Sequence, residues 1–303
     1  MNKKNLNFLL FIFLSLLIIG VVSCGISTNV ELDPESQEFY DTARLVMTKE
    51  EKDIFNHLPD KASREEFIED FWKKRDTDPD TEDNEFKEEF FRRIEYANDR
   101  FIEGIPGWKT DRGRIYIYFG APDKIEDYPM LNRPDMQGYL LWVYYRYDFA
   151  VEFIDKGNNS YTLDPYSGVY GSLTDAIERA QFGLIHQQEG PGGKFMNFDL
   201  EFDPEEKKIT ISLPVKGLSF PEEEGLLKAD FEFEFFIYPK KVSEKKTFRE
   251  VRHFEVTEEE ILQMEEIVFD FSFSLGPGEY YFDTIIIGKP EIGKARKIFK
   301  VKI

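Results

Sequence analysis

The first part of the chain carries apolar residues at a spacing of three to four, which is the period of one face of an α-helix. The clearest stripe predicts a helix from Asn84 to Phe101, and a shorter stripe precedes it. The longer stripe comprises Phe86, Phe90, Ile94, Ala97 and Phe101, and the shorter one comprises Phe67, Ile68, Phe71 and Trp72. We therefore expect the folded part of the chain to begin with packed helices.

Helix start signals support this expectation. The segments Thr48–Glu51 and Ser63–Glu66 both fit the capping box, in which a hydroxyl and an acid each satisfy a free backbone N–H group. Pro59 separates the two helices that they would begin. Lys73–Arg75 fall in the last turn of the second helix, where the helix dipole favours cations.

From Ile115 onward the apolar period changes to two. Ile115, Ile117 and Phe119 alternate with tyrosines and predict a first strand. Further strands are predicted at 140–147, 150–154 and 161–163, and a last helix is predicted from Ser172 to about Gln188. Helices followed by a small, mostly antiparallel sheet make an α+β domain, which we place at residues 39–188.

The stretch Glu189–Gly193 is rich in glycine and marks a boundary, so we take 189–194 as a linker and 195–303 as a second domain. Strands with one apolar and one polar face follow it, as is typical of antiparallel sheets packed on one side. They are Met196–Phe202, Ile209–Leu213, Phe231–Phe235, Thr247–Val256, Phe269–Phe273, Tyr280–Ile287 and Phe299–Ile303. About seven strands favour an all-β immunoglobulin-like sandwich, with a jelly roll or a C2-like sandwich as alternatives. Leu275–Tyr280 is predicted to be a hairpin turn that joins two of them.

Residues 1–23 have the pattern of a signal peptide. Lys3 and Lys4 precede an apolar stretch, Phe8–Ile19, which is shorter than the ~20 residues of a membrane span. Ser23 then precedes Cys24, the only Cys in the chain. This arrangement resembles the lipobox of bacterial lipoproteins, which implies cleavage before Cys24, acylation of its thiol and membrane attachment through the acyl chains. An ordinary secretory signal and an uncleaved anchor are the alternatives.

The residue after Cys24 is Gly25, not Asp. By resemblance to the sorting rules of bacteria with two membranes, this favours an outer-membrane lipoprotein that faces the periplasm or the surface. Residues 24–38 are largely polar without periodicity, so we expect them to form a tether.

Charge narrows the set of partners. The chain has 39 Lys and Arg against 59 Asp and Glu, a formal net charge of −20. Such an acidic protein is disfavoured as a nucleic-acid binder because it repels phosphate. We expect a membrane, through Cys24, and an envelope protein as partners.

The most distinctive stretch lies between 107 and 123. Gly107–Asp111 reads Gly-Trp-x-Thr-Asp, and Arg112–Ile117 and the turn Gly120–Asp123 follow it. Together with the run Phe71–Asp76 and the helix Asn84–Phe101, this stretch resembles the GWxTD domain family of bacterial envelope proteins. The resemblance covers about 39–188, and a sandwich after this domain is a common arrangement in the family. It implies the domain but no enzymatic activity.

Six residues of this stretch form the candidate site, as ligand-binding or structural groups: Trp108, Thr110, Asp111, Arg112, Arg114 and Asp123. In a structural interpretation, Gly107 and Gly113 adopt positive φ, and Trp108 is a buried apolar plug. Thr110 and Asp111 would bond to loop N–H groups, with Asp111 also pairing with Arg112 or Arg114. In a functional interpretation the charged residues and Trp108 bind a ligand or catalyse a reaction. We favour the structural interpretation, because no nucleophile or base accompanies them.

No pattern in the chain predicts a metal or a cofactor. His57, His186 and His253 lack the spacing of a zinc site. Residues 76–80 carry alternate carboxylates as a Ca²⁺ loop does, but Thr81 and Lys87 stand where Gly and Glu are required. We favour an acidic loop in which Thr81 or Asp83 caps the next helix.

An aromatic cluster could stack on sugars, although burial of a central strand explains it equally well. It comprises Tyr139, Trp142, Tyr144, Tyr145 and Tyr147. Taken together, the patterns favour a membrane-anchored envelope lipoprotein that acts as a non-enzymatic protein-interaction or structural module. The alternatives are a periplasmic or surface hydrolase of peptide or glycan, using Asp111 or Asp123, and a glycan-binding lipoprotein.

Overall fold

Short helices build the N-terminal region. The computed structural model describes residues 32–76, 81–129, 138–164, 173–183, 196–240, 244–290 and 292–303. Its N-terminal helices are α1 (Pro34–Ala43), α2 (Lys49–His57), α3 (Lys61–Lys73), α4 (Glu85–Arg100), α5 (Asp111–Phe119) and α6 (Leu173–Gln181). The described helices include none that is long and apolar enough to span a bilayer. α4 confirms the predicted long helix, and its Phe86, Phe90 and Ala97 are buried in the core.

The capping predictions are partly right. The Thr48–Glu51 box is confirmed, with both reciprocal hydrogen bonds present at the start of α2. The Ser63 box is wrong, because Asp60 caps α3 and accepts a hydrogen bond of 2.8 Å from the Ser63 N–H. A carboxylate three residues earlier is an equally good cap, and it places the start of α3 before Ser63.

Two other helix starts differ from the expectation. Asn84, not Thr81 or Asp83, caps α4 by accepting a hydrogen bond from the Lys87 N–H. α1 begins at Pro34, inside the segment expected to be a tether, because Asp33 is an N-cap and proline suits the first helical turn.

The predicted strand at Ile115, Ile117 and Phe119 is wrong, because these residues lie on α5. All three are buried although they alternate, since α5 packs against α4, α6 and a strand of the small sheet. A short helix covered on several sides shows no single apolar stripe. Thr110 is the N-cap of α5. Gly120, with a φ of 76°, is its C-cap.

A small antiparallel sheet completes the N-terminal region. It consists of β1 (Lys124–Tyr128), β2 (Tyr139–Tyr144), β3 (Phe149–Gly157) and β4 (Ser160–Leu163), which pair in chain order. The predicted strands at 140–147, 150–154 and 161–163 are thus confirmed in type, although 145–147 is a 3-10 turn. One face of the sheet is buried, and it includes Trp142, Tyr144, Val151 and Phe153.

The C-terminal region is rich in strands, as predicted. It contains β5 (Asp199–Asp203), β6 (Lys208–Pro214), β7 (Glu222–Glu223), β8 (Leu226–Pro239), β9 (Lys246–Val256), a short helix α7 (Glu258–Ile261), β10 (Glu266–Ser272), β11 (Glu279–Lys289) and β12 (Gly293–Lys302). Three strands pair in the order β10-β6-β5. Five form a second sheet in which β8 lies between β11 and β9, with β12 beyond β11 and β7 paired to the start of β8. The region contains a sheet that curls into a half-barrel.

The two sheets share one core of phenylalanines and aliphatic residues. Phe231, Phe233 and Phe235 of β8 face Phe269 and Phe271 of β10 across it. The prediction that 275–280 is a hairpin turn is wrong. This segment connects β10 and β11, which belong to different sheets. A glycine- and proline-rich turn signal fits a crossover between sheets as well as a hairpin.

The described residues from Asp33 to Ile303 form one compact unit. The expected linker, 189–194, and residues 184–188 at the expected end of the last helix lie outside the described residues. Within them, α6 ends at Gln181, and Gly183 has a φ of 75°.

Candidate functional site

Two glycines allow backbone segments to meet at the motif. A Cβ on Gly107 would lie 1.8 Å from the carbonyl oxygen of Ala97 in α4. A Cβ on Gly113 would lie 1.9 Å from the carbonyl oxygen of Gly107. The prediction of positive φ is wrong for both residues. They are required instead because α4, the 3-10 turn at Gly107–Lys109 and α5 approach one another too closely for any side chain.

Thr110 holds the turn and the helix together. It is the N-cap of α5, and its Oγ1 accepts a hydrogen bond of 3.0 Å from the Gly113 N–H. The same hydroxyl donates to the carbonyl oxygen of Gly107 at 2.8 Å. Because Thr110 is buried, both bonds are shielded from water.

Asp111 connects α5 to the small sheet. Its Oδ2 accepts a hydrogen bond of 2.7 Å from the backbone N–H of Leu163 in β4. Its Oδ1 pairs with Arg114, one turn further along the helix. The carboxylate lies in the first turn of α5, where the helix dipole favours a negative charge. Both oxygens therefore have partners inside the domain.

Arg112 fixes the loop that precedes the motif. Its Nε donates to Oε1 of Glu103 at 2.8 Å, and its Nη2 lies 2.7 Å from the same oxygen as an ion pair. Its guanidinium carbon lies 4.1 Å from the ring centre of Tyr161. Glu103 in turn accepts a hydrogen bond of 2.9 Å from the Tyr161 N–H. Nη2 of Arg112 also reaches the carbonyl oxygen of Asn159 at 3.3 Å. This buried pair ties the loop to the turn between β3 and β4.

Asp123 lies beyond the other end of α5. Its Oδ2 accepts a hydrogen bond of 2.7 Å from the Tyr145 N–H, and its own N–H donates to the Val143 carbonyl. A nine-residue helix is about 13 Å long, and Asp111 begins it. Asp111 and Asp123 therefore do not converge on one reacting atom.

Trp108 is half-buried, not the fully buried plug that was expected. Its backbone N–H donates to Oδ1 of Asn98 at 3.3 Å, and the Lys109 ammonium lies 4.9 Å from the centre of its indole ring. Ile102 and Ile105, a few residues earlier, are 63% and 50% exposed. We call Phe101–Lys109 the motif loop. The contacts with Asn98 and Arg112 fix this loop, and it exposes apolar side chains to solvent.

A buried ionic cluster, which the sequence analysis missed, connects the helical region to the β-rich region. We call it the junction cluster, and it consists of Glu51, Lys74, Arg75, Asp283 and Arg296. Lys74 and Arg75 were expected only to interact with the helix dipole at the end of α3. They are instead almost inaccessible to solvent.

The hydrogen bonds of the cluster cross from α2 and α3 to β11 and β12. Arg75 donates to both oxygens of Glu51, at 3.0 and 2.7 Å, and Arg296 donates to Glu51 at 2.8 Å. Arg296 also donates to both oxygens of Asp283, at 2.8 and 2.7 Å. Lys74 reaches Asp283 at 2.8 Å. Three cations thus share two carboxylates, in a geometry that satisfies each carboxylate oxygen.

The cluster shifts the pKa values of its members. Burial alone would raise the pKa of Asp283, but the charges of Arg296 and Lys74 hold it well below its ordinary value. Burial would likewise raise the pKa of Glu51, and Arg75 and Arg296 lower it. Burial lowers the pKa of Lys74, and it lowers that of Arg75 to about 10. Both carboxylates are therefore charged at neutral pH.

Sequence signals for this cluster existed. Asp283 is the single charge within the otherwise uncharged run Tyr280–Ile287, and Glu51 belongs to a capping box. A lone carboxylate in a strand predicted to be buried requires a cationic partner. The run Phe71–Asp76 contains two candidates, but nothing in one sequence pairs residues more than 200 positions apart.

The other residues that the sequence offers for a metal site or a stacking surface do not come together in one site. The described residues contain no group of three or more His, Cys, Asp or Glu side chains that could hold a metal ion. His186 and residues 77–80 of the acidic loop lie outside the described residues. Trp142 and Tyr144 of the aromatic cluster are buried whereas Tyr145 is exposed, so the cluster does not form one flat stacking surface.

Two open clefts have described walls. One, of about 390 Å³, lies between α2, α6 and β12. The other, of about 450 Å³, lies where β8, β9 and β11 meet beside Pro290. Neither is lined by a residue of the motif, so the motif lines neither a catalytic nor a ligand pocket there.

Comparison with known proteins agrees with the motif. The model of the GWxTD domain family matches residues 33–177, which include α1 to α5 and the small sheet. The search of curated proteins finds no match. The β-rich region lies outside the family match. The chain therefore contains a GWxTD domain, which spans residues 33–177.

Proposed function

We propose that the protein is a lipid-anchored envelope protein whose GWxTD domain is a non-enzymatic interaction module. One observation carries the proposal. The side chains of Thr110, Asp111 and Arg112 are bonded to partners within the domain, whereas Ile102 and Ile105 beside them are exposed. In an active site, polar side chains are free to act on a substrate. Here the polar side chains are bonded within the domain, and apolar side chains face solvent.

The motif loop is suited to binding because it is already ordered. The Arg112–Glu103 pair and the Asn98 side chain fix it from two sides. A loop held in its bound conformation loses little conformational entropy on association. Two exposed isoleucines and a half-buried Trp on this short loop are the apolar side chains that a protein contact would bury.

A crosslinking experiment tests the interaction. A photo-crosslinking amino acid at Ile105 should give a discrete adduct with an envelope protein in cells. The same amino acid at Glu205, an exposed residue in the turn between β5 and β6, is the matched control. The absence of an adduct at Ile105, or the same adducts at both positions, would contradict the proposal.

Lipid attachment at Cys24 is the second part of the proposal. Its support is the apolar stretch that ends in Ser23 and Cys24, and Gly25 favours the outer membrane over the inner one. The nine residues between Cys24 and Pro34 would span at most about 30 Å. Metabolic labelling with a fatty acid should label the unaltered chain and should not label Cys24→Ala. Label that persists in Cys24→Ala, or an unaltered chain that takes up none, would contradict acylation at Cys24.

We further propose that the β-rich region is an immunoglobulin-like sandwich. The support is its strand order. β5, β6 and β10 form one sheet and β12, β11, β8 and β9 the other, which corresponds to strands A, B and E against G, F, C and C′. The two sheets enclose a common apolar core. An experimental structure with parallel pairing between any of these strands would contradict it.

A further inference from the structure

β9 is an edge strand with an unpaired side. Its eleven residues pair with β8 from Lys246↔Ile237 to Val256↔Leu227, and no other described strand pairs with it. It is also the most exposed long strand of the described sheets, with its first six residues all exposed. A long unpaired edge presents backbone N–H and C=O groups that can pair with another strand.

The sequence of β9 is self-complementary about Val251. In an antiparallel pair of two β9 strands centred there, Glu250 lies opposite Arg252 of the second copy, and the symmetry repeats this contact. Phe248 likewise lies opposite Phe254 of the second copy. Opposite charges and aromatic pairs directly across two strands stabilise a sheet.

The remaining charges do not oppose this register. Arg249 would lie opposite His253 of the second copy. Within its own chain, however, Arg249 pairs with Glu234 at 2.8 Å, and His253 lies 2.5 Å from Asp230. Each therefore already has a carboxylate next to it.

Neighbouring registers are unfavourable. A centre at Glu250 places this carboxylate opposite its own copy. A centre at Arg252 places this guanidinium opposite its own copy. Like charges directly opposite one another destabilise strand pairing. The charge pattern thus selects one of the three registers.

Arg252 supplies an independent observation. Its Nη2 lies 2.8 Å from Oε1 of Glu250, with which it forms an ion pair, and donates to the carbonyl oxygen of Asp270 at 3.2 Å. Its Nε is buried and has no hydrogen-bond partner among the described residues. A buried donor without a partner is costly. A second carboxylate does not reach this buried atom, but it can pair with the accessible Nη groups, because the side chain as a whole is 41% exposed.

We propose that two copies of this chain associate through β9, antiparallel and centred on Val251, so that the two larger sheets become one continuous sheet. The partner is a second copy because the edge complements its own sequence. The occupied surface lies on the β-rich region and leaves the motif loop free.

Charge reversal tests the proposal. In the chain from Gly25 onward, which contains every described residue, Glu250→Arg places Arg opposite Arg at both symmetric contacts. Arg252→Glu places Glu opposite Glu. Each variant should weaken the homodimer at least about tenfold in sedimentation experiments, because two attractive contacts become repulsive. Glu205→Arg and Lys216→Glu, which change the net charge equally at exposed sites elsewhere, should not.

Mixing the two single variants gives the decisive result. A chain with Arg at 250 and 252 and a chain with Glu at both positions are complementary at both contacts, so the mixture should form a heterodimer. The double variant E250R/R252E should dimerise like the unaltered chain. Thermal unfolding of each variant verifies that it is folded. A monomer at all concentrations, or single variants that dimerise as well as their controls, would overturn the proposal.

Discussion

Asp283→Asn is the most informative change at the junction between the two regions. Asn has nearly the same shape as Asp, but it lacks the charge that faces Lys74 and Arg296. Glu51 would remain as the single carboxylate of the cluster against three buried cations. The substitution therefore leaves positive charge uncompensated in an environment that water does not reach.

The expected cost follows from this geometry. Removal of one partner from a buried ion pair typically costs about 3–5 kcal/mol, since the charges left behind are not hydrated. We expect Asp283→Asn to lie in that range. This is a large part of the roughly 5–15 kcal/mol by which folded proteins are stable.

Urea unfolding at pH 7 measures the effect without screening charges. The matched control is Asp270→Asn, the same substitution at an exposed position on β10 of the same region, which should change the unfolding free energy little. Lys74→Met combined with Asp283→Asn should cost less than the sum of the two single changes, because both act on one network. A loss below about 1 kcal/mol for Asp283→Asn would refute the role assigned to the cluster.

Three other outcomes follow from the same contacts. Gly107→Ala should destabilise the domain by about 3 kcal/mol in urea unfolding, since its Cβ would collide with the α4 backbone. Trp108→Ala should cost only about 1–2 kcal/mol by the same assay, less than the ~3–5 kcal/mol of a fully buried aromatic residue, because it is half-buried. Acid should destabilise the protein as the pH falls below about 4.5. Glu51 and Asp283 have ordinary pKa values of 4.5 and 3.8 when unfolded and lower ones when folded, so the unfolded chain binds protons first. Stability measured between pH 7 and pH 3 should fall less steeply in Asp283→Asn.

The sequence was most informative where one face of an element is buried. α4 and the alternating strands β6 and β10 have the expected type because each buries one face. α5 was misassigned because it is covered on several sides, and so its apolar residues do not follow the helical period. The spacing of apolar residues therefore depends on how many faces of an element are buried, and not only on whether the element is a helix or a strand.

The candidate site shows the same limit. Thr110 and Asp111 were expected to bond to nearby backbone groups, but the partner of Asp111 is Leu163, which is 52 positions away. The junction cluster joins residues from α2 to β12, and no local pattern reports such a pairing. Sequence patterns identify residues that need partners, whereas only the fold determines which partners they have.

The central claim is that the charged residues of the motif hold the domain together while its loop meets a partner. Asp111→Ala tests this most directly, because it leaves the Leu163 N–H without its acceptor. The account predicts that the free energy of unfolding falls by about 1–3 kcal/mol and that the remaining folded protein still crosslinks through Ile105. A variant that unfolds like the unaltered protein but no longer crosslinks would contradict it.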